Sequence, residues 1–205
     1  MKYEWRKKDK NIYLPKEQPT IVTLPKMQYL MIEGEGNPNG SGFSQTIEAL
    51  YAYSYALKMS PRKGIETAGY YDYTVFPLEA FWDSKVPVVK GAPLDKDQLL
   101  YCIMIRQPEF ITEMLVEKVE ETVAKKVPKE MRDRVFLRSL VEGRNLQILH
   151  VGSYDDEPRS FQRMSDYCDE QGLERIGHVH KEIYLSDARK VAPDKLKTVL
   201  RFPIK

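Results

Sequence analysis

The ten residues "GEGNPNGSGF" (34–43) decide the fold, because the same interval returns as "GSYDDEPRSF" (152–161). In each copy a glycine at the end of an apolar stretch is followed nine residues later by a phenylalanine within a helical pattern. The residues between are mostly turn formers or polar, which indicates a turn. Each copy therefore predicts a strand that passes through a polar turn into a helix.

The flanking segments extend this repeat. Before the first turn, "TIVTLPKMQYLMIEGEG" predicts a strand; before the second, "DRVFLRSLVEGRNLQILHVG" predicts two strands joined at Glu142–Asn145. After each helix a glycine precedes a predicted strand, "YYDYTVF" (70–76) in the first copy and "HVHKEIYL" (178–185) in the second. "QLLYCIMIR" and "LKTVLRFPI" predict the closing strands. The order is β-α-β-β twice.

The predicted fold is α+β, one domain over residues 1–205 with two pseudo-twofold-related β-α-β-β repeats packed around a central ligand groove. Repeat one covers about residues 20–106 and repeat two about residues 134–204. An amphipathic linker helix is predicted over about 109–126. The segment 77–97 contains three prolines and is predicted to be a long, functional loop.

Composition excludes several classes of protein. Hydrophobic residues make up 42% of the 205 residues and charged residues 30%, which indicates a globular chain with a core. The net charge of +2 gives no reason to expect nucleic acid as a partner, and no apolar run is long enough to predict a membrane span. Two cysteines are too few for a disulfide framework, so we expect a cytoplasmic protein.

The stretch "GHVHKEIYLSD" (177–187) carries the most chemistry. On a strand, His178, His180, Glu182 and Tyr184 share one face. His178 and Glu182 would be ~13 Å apart at Cα, too far for one ion, so we expect neither a metal nor a cofactor. Glu182 lies in an apolar run, where a carboxylate must be paired, hydrogen-bonded or functional. It could attract a cationic ligand, act as a general base, or simply be a hydrogen-bonded strand residue.

Tyrosine is unusually common, with 13 residues against 7 phenylalanines. A set of aromatic residues could stack on a flat ligand, and tyrosine hydroxyls could donate hydrogen bonds to it; each could also simply fill the core. Tyr71 and Tyr73 are predicted to share one face of a strand, and Trp82 to lie in the adjoining loop. The predicted ligand-binding residues are Trp82, Tyr73, Tyr101, Phe136, Tyr154 and Tyr184.

Several stretches together resemble the GyrI-like small-molecule-binding domains: "QYLMIEGEGNPN", "VFPLEAFW", "EGRNLQILHVGSYDDEP" and "HVHKEIYLSDARKVAPDKLKTVLRFPIK". The resemblance covers about residue 12 to the end. It departs from the family's "PLEGLWW"-like pattern, because Ala80 replaces the glycine and only Trp82 of the tryptophan pair is kept. It implies a pseudo-twofold fold with a groove that Glu182 and Tyr184 face.

The resemblance also implies a function. Some relatives are effector domains of transcription regulators, but the repeats and linker account for this chain, so we expect a stand-alone domain. Some stand-alone relatives hydrolyse cyclopropane-bearing DNA-alkylating compounds with an aromatic cage. The expected function is therefore binding of hydrophobic xenobiotics and hydrolysis of such compounds, with Glu182 and Tyr71 as catalytic residues. A non-catalytic binding or sensor protein is the alternative.

Overall fold

The computed structural model describes residues 2–87 and 94–205. Its helices are α1 (Trp5–Lys8), α2 (Lys10–Tyr13), α3 (Ser41–Lys58), α4 (Glu113–Lys118), α5 (Glu120–Val123), α6 (Lys129–Arg132) and α7 (Glu157–Gln171). Its strands are β1 (Thr20–Glu35), β2 (Leu78–Ser84), β3 (Leu99–Gln107), β4 (Phe136–Val151), β5 (His180–Tyr184) and β6 (Lys197–Pro203). The fold class α+β is confirmed.

The six strands form one sheet. They hydrogen-bond in the order β1-β3-β2-β5-β6-β4, and the sheet closes as a barrel. The β1–β3, β4–β6 and β5–β6 pairs are antiparallel. The element order strand, long helix, strand, strand occurs twice, as β1-α3-β2-β3 and β4-α7-β5-β6. In each set the third strand lies between the first and the second. The twofold relation and the repeat boundaries stay predictions.

The chain divides into two compact units that do not coincide with the predicted repeats. The first comprises Met1–Glu4, Met27–Leu78 and Trp82–Leu140; the second comprises Trp5–Lys26, Glu79–Phe81 and Val141–Lys205. In the first unit, α3 packs on β3, α4, α5 and α6. Apolar side chains from these elements are buried, among them Leu50, Leu57, Ile103 and Ile105. Burial of this apolar surface is the main force that holds the unit together.

In the second unit, α7 covers one face of β4 and β6. The core consists of Leu146, Ile148, Met164, Cys168, Leu200, Phe202 and Ile204. The helix ends at Gly172, whose φ of 64° is left-handed, the conformation that glycine adopts at the lowest cost. The N-terminal segment contributes Trp5, Ile12 and Tyr13 as buried side chains of this unit.

The prediction of a strand at residues 70–76 is wrong. Only Tyr73 forms a bridge there, a parallel one to Tyr3, and the carbonyl oxygen of Tyr73 accepts a hydrogen bond from Lys58 Nζ. The next strand is Leu78–Ser84, inside the predicted loop. Four of its first five residues are buried, so both of its faces are covered and the sequence shows no alternation. Residues 88–93 of that predicted loop lie outside the described residues.

The prediction of two strands joined at Glu142–Asn145 is also wrong, since β4 runs unbroken from Phe136 to Val151. Gly143 adopts a φ of 64° inside the strand, and the side-chain amide of Asn145 donates to the carbonyl oxygens of Glu142 and Gly143. The turn-forming residues are thus accommodated as a local irregularity of the kind found at β-bulges.

The linker is not one helix over 109–126. Thr112 caps α4 by accepting a hydrogen bond from the Leu115 amide at 3.2 Å, so the helix begins at Glu113, and a turn at Val119 separates α4 from α5. The predicted apolar face is nonetheless buried in the first unit, through Ile111, Leu115, Val119 and Val123.

Candidate functional site

Glu182 occupies the centre of β5 in the second unit. Its side chain is buried and accepts hydrogen bonds at both carboxylate oxygens: Oε2 from the Tyr184 hydroxyl at 2.7 Å, and Oε1 with His180 Nε2 at 3.0 Å. The strand's two-residue period brings the three side chains together. Two such contacts fix the orientation of the carboxylate.

His178 does not join this group. It precedes the strand, which begins at His180, and its side chain is exposed. The carbonyl oxygen of His178 accepts a hydrogen bond from Arg175 at 2.6 Å. Within residues 2–87 and 94–205, no three His, Cys, Asp or Glu side chains are grouped so as to hold a metal ion.

A second carboxyl group, absent from the sequence prediction, is under the electrostatic influence of Glu182. Glu157 is the first residue of α7 and is buried. Burial and the Glu182 carboxylate raise the pKa of Glu157 well above its usual value. Burial and repulsion from the Glu182 carboxylate both oppose ionisation of Glu157. The helix dipole favours an ionised Glu157 by only ~0.3–1 kcal/mol, so the repulsion prevails.

Tyr154 is an aromatic neighbour of Tyr184 and Glu182. Its ring meets that of Tyr184 edge-on, with centroids 5.9 Å apart, while the residue is 41% exposed. Burial and the nearby Glu182 raise the pKa of Tyr154 to about 12. Tyr154 therefore keeps its hydroxyl proton at neutral pH and can donate it in a hydrogen bond. His180 contributes a further edge-on contact with Phe161, at 4.8 Å.

The opposite face of β5 holds a buried ion cluster. Lys181 Nζ lies 2.9 Å from Glu79 Oε2 and 2.7 Å from Glu142 Oε1, and Tyr13 donates to Glu79 at 3.1 Å. Burial alone would lower the pKa of Lys181, but Glu142 and Glu79 outweigh it and the pKa is raised. The cluster ties β5 to β2 and β4, and so holds Glu182 in position on the other face.

Trp82 and Tyr101 belong to an aromatic cluster of the first unit. Phe43 completes it, with ring centroids 5.6 Å from Trp82 and 4.9 Å from Tyr101, and Trp82 and Tyr101 lie 5.7 Å apart. Trp82 lies on β2 and not in a loop as predicted. The Tyr101 ring packs over Gly34, where a Cβ atom would be only 2.5 Å away. Position 34 therefore requires glycine, because the Tyr101 ring leaves no room for a Cβ atom.

Tyr71 and Tyr73 are in the same unit, around Phe110, at centroid distances of 5.0 Å and 6.0 Å. They do not lie on one strand face, because residues 70–76 form no strand. Tyr73 is fully buried and, among the described residues, its hydroxyl has no hydrogen-bond partner; burial raises its pKa. Phe136 is half-buried under the Arg138 guanidinium, at 5.0 Å.

Comparison with known proteins identifies the family. The sequence matches the family described as the GyrI-like small molecule binding domain over residues 17–205. The chain belongs to the GyrI-like family. A search of the curated proteins gave no significant match.

Two solved GyrI-like structures are similar along the whole chain. One is a hydrolase from Listeria innocua, with 36% identity, a TM-score of 0.91 and complete coverage of both chains. Another hydrolase from the same organism has 35% identity and a TM-score of 0.89 over 99% of this chain and all of the other. The EcmrR C-terminal domain shares the fold at 10% identity, with a TM-score of 0.54 over 95% of this chain and 98% of that one.

The structure groups only some of the predicted site residues. Glu182, Tyr184 and Tyr154 are brought together in the second unit, while Trp82, Tyr101, Tyr71 and Tyr73 lie in the aromatic clusters of the first. Glu157 was missed. Its signal was the acidic run "DDE" before Pro158, which is typical of a helix N-terminus and gives no reason to expect burial.

Proposed function

We propose that this GyrI-like domain binds hydrophobic, often aromatic, small molecules beside Glu182, and that it hydrolyses those with an electrophilic cyclopropane. The observation that carries the proposal is the Glu182 carboxylate, buried and oriented by His180 and Tyr184 next to the ring of Tyr154. The similarity to two Listeria innocua hydrolases supports a reaction, although the word hydrolase names no substrate.

The proposed reaction adds one water molecule. The water oxygen forms a bond to the ring CH₂ carbon while Glu182 accepts the water proton. The ring carbon–carbon bond breaks, and its electron pair passes to the oxygen of a conjugated carbonyl, which is then protonated to a phenol. The predicted roles of Tyr71 as a hydrogen-bond donor to that oxygen and of Trp82 as a stacking surface stay part of the proposal.

Binding without chemistry is the second candidate, and the geometry of Glu182 favours it in one respect. Both carboxylate oxygens already accept hydrogen bonds from side chains of the same strand, so a binding role needs no rearrangement of these contacts. A sensor or carrier needs only the charge and the neighbouring tyrosine rings, so it would retain its ligand unchanged.

Incubation with a cyclopropane-fused cyclohexadienone in ¹⁸O-water, followed by mass spectrometry, tests the proposal. Hydrolysis yields the substrate plus one labelled water, and Glu182→Gln lowers the rate by ~10²-fold or more. Glu170→Gln, at an exposed position of α7, is the matched control and should react like the wild type. Bound but unaltered compound supports the second candidate, and absence of both binding and turnover contradicts both.

Protection of the cell from such alkylating agents is the biological role that we propose. Expression of the wild-type chain should raise the survival of an alkylator-sensitive bacterium, whereas expression of Glu182→Gln should not.

A further inference from the structure

His150 is a buried junction of the second unit that the proposed reaction does not use. It lies near the end of β4 and is 1% exposed. Its Nδ1 lies 2.9 Å from the hydroxyl oxygen of Ser160 on α7, and its Nε2 lies 2.9 Å from the carbonyl oxygen of Ser153 in the turn before that helix. One imidazole ring thus joins a strand, a turn and a helix.

The partners of the His150 ring determine where its proton lies. A carbonyl oxygen only accepts hydrogen bonds, so Nε2 carries a proton and donates it to the Ser153 carbonyl oxygen. In the neutral ring Nδ1 is then an acceptor, and the Ser160 hydroxyl donates to it. Both ring nitrogens are therefore satisfied inside the protein, and His150 is a fixed donor to the turn.

Other contacts also hold the turn that receives this hydrogen bond. The Asp156 amide donates to the same Ser153 carbonyl oxygen at 3.0 Å, and the Ser153 hydroxyl donates to Asp156 Oδ2 at 2.9 Å. The Gly152 amide donates to the Leu196 carbonyl oxygen at 3.0 Å. A Cβ atom at Gly152 would lie only 3.3 Å from His150 Nε2, so the backbone of the turn passes close to the ring.

Tyr154 projects from this turn. It is the first residue of the 3₁₀ turn Tyr154–Asp156 and is 41% exposed. Its ring meets the Tyr184 ring edge-on, with centroids 5.9 Å apart, and the Tyr184 hydroxyl donates to Glu182. An exposed side chain on a loose turn loses conformational freedom when a ligand stacks on it, which weakens binding. A turn that is already fixed avoids most of that loss.

We propose that His150 is a positioning residue, which holds the turn so that the Tyr154 ring stays beside Tyr184 and Glu182 before a ligand arrives. His150 is itself too deeply buried to touch the ligand. Its contribution is to affinity and not to the chemical step, because Glu182 is oriented by His180 and Tyr184 from its own strand. This inference rests on the proposed binding of small molecules beside Glu182.

The ring contact is measurable without any ligand. Nuclear Overhauser spectra of protein with labelled tyrosine rings should show contacts between Tyr154 and Tyr184 in the wild type, and Tyr154→Phe identifies them by removing the signal. His150→Phe keeps an aromatic ring but loses the donor to Ser153, so these contacts should be lost. His150→Gln is the matched control. Its side-chain amide extends about as far from the backbone as Nε2 and can donate to the same carbonyl oxygen, so the contacts should remain.

Binding is measured with the neutral cyclopropane-fused cyclohexadienone. The quantity compared is the concentration that gives half the maximal single-turnover rate, or the Kd where the compound stays unaltered. It should rise about three- to tenfold in His150→Phe and stay close to the wild-type value in His150→Gln, with an unchanged maximal rate in both. Because His150→Phe leaves the buried Ser160 hydroxyl without its partner, the same measurements are made on His150→Phe combined with Ser160→Ala, where both polar partners are replaced and the fold is retained.

A double-mutant cycle separates positioning from a general loss of stability. With Tyr154→Ala already present, adding His150→Phe should not weaken binding further, because the side chain that His150 positions is gone. An equal loss of affinity in both backgrounds, a lower maximal rate, or ring contacts that survive in His150→Phe would each overturn the inference. If the wild type binds no compound, the proposed function fails, and the ring contacts alone decide whether His150 positions Tyr154.

Discussion

Replacing Lys181 by methionine tests whether the buried ion cluster holds β5 in place. The ammonium group contacts Glu79 at 2.9 Å and Glu142 at 2.7 Å, and the side chains of Lys181 and Glu79 are each 1% exposed. Methionine matches the length of the aliphatic stem but leaves the two carboxylates without their cation. Breaking a buried ion pair by removing one partner costs ~3–5 kcal/mol, mostly through the uncompensated charge that remains.

That cost converts into a measurable change. For a chain of this size ~1 kcal/mol shifts the melting temperature by ~2–4 °C, so Lys181→Met should melt about 6–20 °C below the wild type. The matched control is Lys129→Met, which removes an exposed pair with Asp133 at 2.6 Å and should cost less than ~1 kcal/mol. Urea unfolding followed by circular dichroism gives the free energies.

A second experiment tests whether uncompensated carboxylate charge causes the loss of stability in Lys181→Met. Adding Glu79→Gln and Glu142→Gln to Lys181→Met removes the stranded negative charges and should recover part of the lost stability. If Lys181→Met costs no more than Lys129→Met, the cluster does not stabilise β5 and the reasoning is refuted.

Three further predictions follow from the packing and charges described above. Trp82→Ala should weaken binding of flat ligands, charged or neutral, by ~1 kcal/mol or more in fluorescence titration, since stacking does not depend on ligand charge; equal affinities would exclude it as a stacking surface. Gly34→Ala should cost ~1–3 kcal/mol in urea unfolding, because its Cβ would lie 2.5 Å from the Tyr101 ring, and a change below ~0.5 kcal/mol would contradict this. Burial raises the pKa of Glu157 in the folded state. The contribution of Glu157 to the free energy of unfolding is therefore fully present below the ordinary glutamate pKa and is lost as the pH rises towards the folded-state pKa. The wild type should therefore lose stability relative to Glu157→Gln by up to ~1.4 kcal/mol per pH unit above about pH 4.5, and a constant difference would argue against a raised pKa.

The sequence predicted much of the element order because local signals dominate there. The paired turns before α3 and α7 and the apolar runs of β1, β3 and β6 carry clear period and turn signals. The errors arose where tertiary packing replaced a local pattern. β2 is covered on both faces and shows no alternation, and Gly143 looks like a turn but lies inside β4.

The candidate site could likewise be predicted only where a local sequence pattern determines it. Strand alternation placed His180, Glu182 and Tyr184 on one face, which the structure shows. Glu157 could not be found this way, because its approach to Glu182 depends on how α7 packs on the sheet and not on sequence spacing. The same is true of Lys181, which the alternation placed on the opposite face without indicating that Glu79 and Glu142 pair with it.

The most direct test of the central claim compares the wild type and Glu182→Gln with one cyclopropane-bearing alkylating compound. Single-turnover rates, the affinity for the intact neutral compound and the melting temperature are measured on the same samples. The account predicts a rate at least ~10²-fold lower in Glu182→Gln, with affinity and melting temperature close to those of the wild type. Equal rates and affinities, with a sharp loss of thermal stability in the variant, would contradict the account and make Glu182 a structural, hydrogen-bonded residue of β5.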